Sequence, residues 1–196
     1  MKNKIFIAIF ICSFSCHYSF AQTITNYSTD IKKMSDWVSD IDSVIARAKS
    51  KEQLKMVSYQ FSDIIVGLQN ITEGQKDLAA YIPKHGEVAA SDTAKTNQLI
   101  IQIGNDIYQM YHHVRKISAN VSDTDKVNIS SILESFQRIG GSANYLKLND
   151  LRDYLYGDGE PANGLKKDET EIKIISEDLV GKLQKAKEKI KAAIMK

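Results

Sequence analysis

The stretch LIIQIGNDIYQMYHHVRKISANV, Leu99 to Val121, decides the fold. Within it Ile100, Ile103, Ile107, Met110, Val114, Ile117 and Val121 recur at alternating spacings of three and four, the period at which one helix face meets a partner helix. Ile101, Tyr108 and Tyr111 widen the apolar arc to one side, and Gly104 between them permits a close backbone approach. The stretch therefore reads as a central helix in contact with more than one neighbour.

The same rhythm extends outward in both directions. Ser50 and Gln53 form a capping box that opens a helix at Lys51, whose seam is Leu54, Val57, Phe61, Ile64, Leu68, Ile71, Leu78 and Ile82. Pro83 ends it, having no N–H to donate and disfavouring a helical residue before it. Gln75 takes a seam position where an apolar side chain is expected; it and Gly74 mark the weakest turn, and a glutamine near a helix end is expected to be partly solvated. Ile24 to Lys49 reads as one amphipathic helix on the seam Ile24, Tyr27, Ile31, Met34, Val38, Ile41, Ile45 and Ala48, with the Trp37 indole N–H near solvent. The short connection to Lys51 favours an antiparallel hairpin. Residues 83–92 form a loop with Ser91 or Asp92 as the cap of the central helix.

Beyond the break at Ser122-Asp123-Thr124-Asp125, the positions Val127, Ile129, Ile132, Leu133, Phe136 and Ile139 make a shorter helix closed by Gly140-Gly141. Ser142 to Tyr156 reads as a short helix or irregular apolar segment, and Gly157 to Gly164 as a loop. Asp168 with Glu171 caps the last helix, whose seam is Ile172, Ile175, Leu179, Leu183, Ala186, Ile190 and Ala193. The predicted fold is all-α, an antiparallel helical bundle of four long helices plus a short helical insert, in a single domain over residues 22–196.

The first residues alter the composition of that domain. Lys2 and Lys4 precede an uncharged, mostly apolar run from Ile5 to Phe14, and Ser19-Phe20-Ala21 offers small residues where a signal peptidase reads, which predicts a signal peptide over 1–21. The run is short for a membrane span. Cys16 as a lipid attachment point is the less favoured reading, because Ser13-Phe14-Ser15 fits the usual preceding pattern poorly. Cleavage removes two lysines and no acid, so the 26 basic and 24 acidic residues of the whole chain become 24 of each. The isoelectric point near 8.4 belongs to the precursor and does not argue for nucleic acid. Cys12 and Cys16 leave with the leader, so apolar burial must hold the domain together without disulfides. A periplasmic or secreted protein is the expected localisation.

Signatures of catalysis are missing: no phosphate-cradling loop, nucleophile elbow, His-Glu-x-x-His or inward Glu-x-x-His stands in the sequence. His112 and His113 project about 100° apart on a helix, which is poor geometry for one ion. Met34 with His113 formally satisfies a haem in a bundle, yet both methionine seam positions, Met34 and Met110, are ordinary core filling. Asp150, Asp153, Asp158 and Glu160 do not match the EF-hand loop. No catalytic, metal or cofactor residue is assigned, and no cofactor. The candidate interaction surface is Tyr145, Tyr154, Tyr156, Asp158 and Glu160 around the glycine-rich loop, with Lys185 and Lys189 from the lysine-rich end of the last helix.

A leader followed by an all-helical domain of this size, with Ser122-Asp123-Thr124-Asp125-Lys126 opening a helix after a long coiled-coil-like one, resembles the periplasmic helical accessory proteins of conjugation and type IV secretion systems of Bacteroidota. The resemblance implies a non-catalytic interaction or structural protein with protein partners in the cell envelope, in which membrane contact is not required and homo-oligomerisation is open. It carries over no functional residue. Two other readings stand beside it. One is a carrier of a small molecule such as haem or a lipid in the bundle interior; the other is a membrane-active helical protein built on the amphipathic hairpin and the lysine-rich end.

Overall fold

The computed structural model describes residues 27–81, 91–141 and 163–196. They are helical almost throughout, in the order α1 (Tyr27–Ser39), α2 (Ile41–Arg47), α3 (Lys51–Tyr81), α4 (Thr93–Ala119), α5 (Asp123–Gly141) and α6 (Asn163–Met195). The all-α class is thus what the chain adopts. The leader, the 83–90 loop, the insert from Ser142 to Tyr156 and most of the Gly157 to Gly164 loop lie outside the described residues.

The helix expected from Ile24 to Lys49 is two helices. Ser39 Oγ donates to the Ser35 carbonyl at 2.8 Å, the Asp40 N–H turns back to the Trp37 carbonyl, and the Asp40 carbonyl accepts from Ser43 and Val44. A Ser-Asp-Ile-Asp-Ser run offers the backbone local alternatives to the helical ladder, so the chain ends one helix at Ser39 and restarts at Ile41. Val38 and Ile41 of the expected seam stay buried across the break, but after it Val44 is the buried position and the expected Ile45 and Ala48 are only partly buried. Ser50 then caps α3 as the sequence indicates: its Oγ accepts the Gln53 N–H at 3.2 Å, while Gln53 Oε1 accepts from Lys49 N–H, one residue before the usual capping-box partner. Asp92 stands at the start of α4 through its carbonyl, which accepts the Thr96 N–H; its side chain accepts from Ser91 instead of capping.

The last helix starts at Asn163, before the Asp168 expected to cap it. Asparagine is favoured at a helix start and Gly164 is tolerated in the first turn, so the chain becomes helical inside the stretch read as loop. At α5, Ser122 Oγ accepts the Asp125 N–H at 3.3 Å and the helix starts at Asp123, inside the stretch read as a break.

Each seam faces a common core. Tyr27, Phe61, Phe136, Ile64, Leu68, Ile103, Ile107 and Met110 are fully buried, each contributing on the order of 1.5–3 kcal/mol in transfer free energy. α3 packs between α4 and α6, α4 continues to α5, and α1 closes the ring against α6 and α5. Gly67 faces Met110 and Gly74 faces Ile103, so α3 and α4 run in opposite directions. Ser35 meets Asp178 and Lys182, and Asp42 meets Lys189, so the first and last helices are neighbours running the same way. α1 stands across the core from α3, reaching it through the Trp37 ring, edge-on to Phe61 with centroids 6.0 Å apart.

Three expectations are corrected by this packing. Gly74 is a close-packing position and no weak turn: a Cβ there would stand 2.9 Å from Ile103 Cγ1. Gln75 is 1% exposed, and neither amide atom has a hydrogen-bond partner among the described residues. Trp37 is also inside, 7% exposed, with its indole N–H away from solvent. Of the residues expected to widen the central seam, Tyr111 packs against the core, whereas Ile101 is more than half exposed.

Candidate functional site

The histidines of α4 have separate surroundings, as their 100° offset requires. His113, mostly buried, shares a 2.9 Å hydrogen bond between Nδ1 and Gln60 Oε1, and Asp63 Oδ2 lies 3.4 Å from the same nitrogen. The amide oxygen can only accept, so Nδ1 carries the hydrogen. Burial pulls the His113 pKa below its ordinary value, against the opposing pull of Asp63. His112 lies edge-on to Tyr108 and Tyr111, with centroids 4.6 and 5.2 Å away, in an aromatic cluster on the outer side of α4. Met34 is buried beside Trp37 and Phe61 around a space of about 10 Å³, smaller than one water's share of liquid volume. Among the described residues no group of three or more His, Cys, Asp or Glu is placed to hold a metal ion.

Of the candidate surface residues, Tyr145, Tyr154, Tyr156, Asp158 and Glu160 lie outside the described residues. Lys185 is exposed, and Lys189 Nζ is committed to Asp42 Oδ2 at 2.6 Å. Lys182 bridges Asp178, at 3.0 Å, and Ser35 Oγ, at 2.6 Å. The Lys182 hydrogen bond holds the Asp178 carboxyl below the usual carboxylate range. One flank of the lysine-rich end is therefore spent in pinning α6 to α1 and α2. The two lysine candidates lie one turn apart on α6, with Lys189 held by Asp42.

What the sequence reading missed is a groove along the outer seam of α3 and α6. Its wider part, about 630 Å³, lies between Leu68, Thr72 and Lys76 of α3 and Lys173, Ser176 and Val180 of α6. A second part of about 400 Å³ continues along the same seam between Ser58, Tyr59 and Ser62 and the Lys187, Lys191 and Ile194 side of α6. Small side chains contribute to it: Ser58, Ser62, Thr72 and Ser176 all line the groove. The signal was present in the sequence as a column of small residues beside each seam. It stays silent until the pairing of α3 with α6 is known.

Comparison with family models, with curated proteins and with solved structures gives no match.

Proposed function

We infer that this chain is an exported, non-catalytic interaction or structural protein of the bacterial envelope, a helical bundle with a short insert that serves as an accessory subunit of an envelope or secretion assembly. The observation that carries the reading is the contrast between interior and surface. Ile, Leu, Val, Met and Phe line the core among the described residues, where the space beside Met34 is about 10 Å³, while two concavities of about 630 and 400 Å³ open outward along α3 and α6. A carrier needs interior volume of a few hundred Å³ for its ligand. No helix of the described residues is long and apolar enough to cross a membrane.

Export rests on the leader read from Met1 to Ala21, and the protein partners on the resemblance to secretion accessory proteins. The testing experiment combines fractionation of the native host with cross-linking in intact cells. The reading expects the protein in the envelope or the medium, starting at Gln22 and joined to envelope proteins. A cytoplasmic protein retaining its leader, or one with no adducts that turns over a substrate when purified, overturns it.

A further inference from the structure

We propose that the groove between α3 and α6 is the docking site for an acidic amphipathic helix of a partner protein, an inference that rests on the interaction reading above and names the surface and the chemistry of its partner. The two parts of the groove share one seam, from Lys76 and Lys173 at one end to Lys55 and Met195 at the other. Along α3 that is about 30 Å at 1.5 Å per residue, the length of a helix of about 20 residues. A cleft between two helices that run in opposite directions accepts a third rod by the packing that builds the bundle.

The rim is apolar in the manner of an interface. Tyr59 is 63% exposed and Met195 73%, both lining the cleft, where a partner's apolar stripe would cover them. The charges choose the partner's sign. Lys55, Lys76 and Lys173 each pair with an acid of their own helix, Glu52, Glu73 and Glu177. Lys187 and Lys191 stand one turn apart on the groove side of α6 with no ion pair among the described residues, and Glu188 is the one acid that lines that part. A glutamate-flanked helix supplies the missing partners, and rim charges of this kind set specificity and association rate. A lipid surface fits less well. The α6 lysines are divided between two flanks, with Lys182 and Lys189 turned to α1 and α2, and a flat bilayer cannot follow a concave cleft.

The test uses the full mature chain and a fluorescein-labelled peptide of about 20 residues, leucine at three-four spacing and glutamate at the flanking positions, read by anisotropy. A counterpart peptide carries lysine for every glutamate. The acidic peptide should bind in the micromolar range, more weakly as salt rises, and the basic one at least tenfold more weakly. Lys187→Glu with Lys191→Glu should weaken the acidic peptide by roughly tenfold or more with the helical circular dichroism unchanged, whereas Lys185→Glu, on the other flank, should leave it unaltered. Equal binding of the two peptides, no binding at millimolar concentration, or loss of binding in Lys185→Glu alone overturns the proposal. So does tight retention on phosphatidylglycerol vesicles that the acidic peptide fails to displace. Cellular partners captured through another face would leave the interaction reading standing while this site fails.

Discussion

Arg47 of α2 and Asp125 in the first turn of α5 form a two-pronged ion pair, Nη2 2.6 Å from Oδ1 and Nε donating to Oδ2 at 3.2 Å. Ser122 Oγ donates to the same Oδ2 at 2.5 Å, and the carboxylate is 1% exposed while the guanidinium remains about a third exposed. The break at Asp40 matters here: the short α2 presents Arg47 to the start of α5, tying the end of the first helical unit to a helix far along the chain.

Burial raises the Asp125 pKa, but the hydrogen bonds from Arg47 and Ser122 and the charge of Arg47 outweigh it and hold the carboxyl below the usual range. The fold therefore binds this proton more weakly than the unfolded chain does. The stability it brings is complete above the carboxylate range and is lost as pH falls through it. Asp125→Asn should cost about 2 kcal/mol in urea unfolding at neutral pH, less than a fully buried pair because Arg47 reaches solvent. The variant's stability should also fall less steeply than the wild type's in acid.

Gly67 and Gly74 lie two turns apart on the face of α3 that meets α4, and a Cβ at either would come within 2.9 Å of a side-chain carbon, Met110 Cγ and Ile103 Cγ1 respectively. Methionine can bend away, whereas a β-branched isoleucine is stiff at χ1. Alanine also gains roughly 0.5–1 kcal/mol in helix propensity over glycine. Gly67→Ala should accordingly be near neutral and Gly74→Ala destabilising by about 1 kcal/mol, as measured by denaturant midpoints.

Gln75→Leu should raise stability by about 1 kcal/mol, because it replaces a buried amide that has no partner among the described residues by an apolar group of similar volume. A fall in the urea midpoint would mean that the amide is satisfied in solution and that α3 depends on it.

His113 binds its proton less readily in the fold than when unfolded, since burial outweighs Asp63. Its contribution is complete above the ordinary histidine pKa near 6.5 and declines as pH falls below it. NMR titration should place His113 below 6.5, and His113→Gln should flatten the stability profile as pH falls below about 6.5.

The regular part of the fold was legible in the sequence because it depends on period. The seams of α3 to α6 and the Ser50 cap follow from residues three and four apart, whatever packs against them. What escaped depended on partners. Whether Gln75 and Trp37 are wet, and whether Gly74 is weak or tightly packed, is decided by what packs against them, as Phe61 does against Trp37 and Ile103 against Gly74. The Asp40 break is a contest between local side-chain bonds and the helical ladder, which an unbroken seam conceals. The candidate surface fared in the same way: Lys189 looked free in the sequence until α2 placed Asp42 against it, and the small residues of α3 and α6 became a groove only once the two helices were paired.

The central claim is that this protein acts through its outer helical faces. A photo-reactive residue at Ser62, on the α3 side of the groove, and another at Val127, 72% exposed on α5, compare the two faces in living cells of the native host. The account predicts a discrete protein adduct at Ser62 and none at Val127. Absence of any adduct at Ser62, with a purified protein that carries a ligand in its core or turns over a substrate, would contradict it.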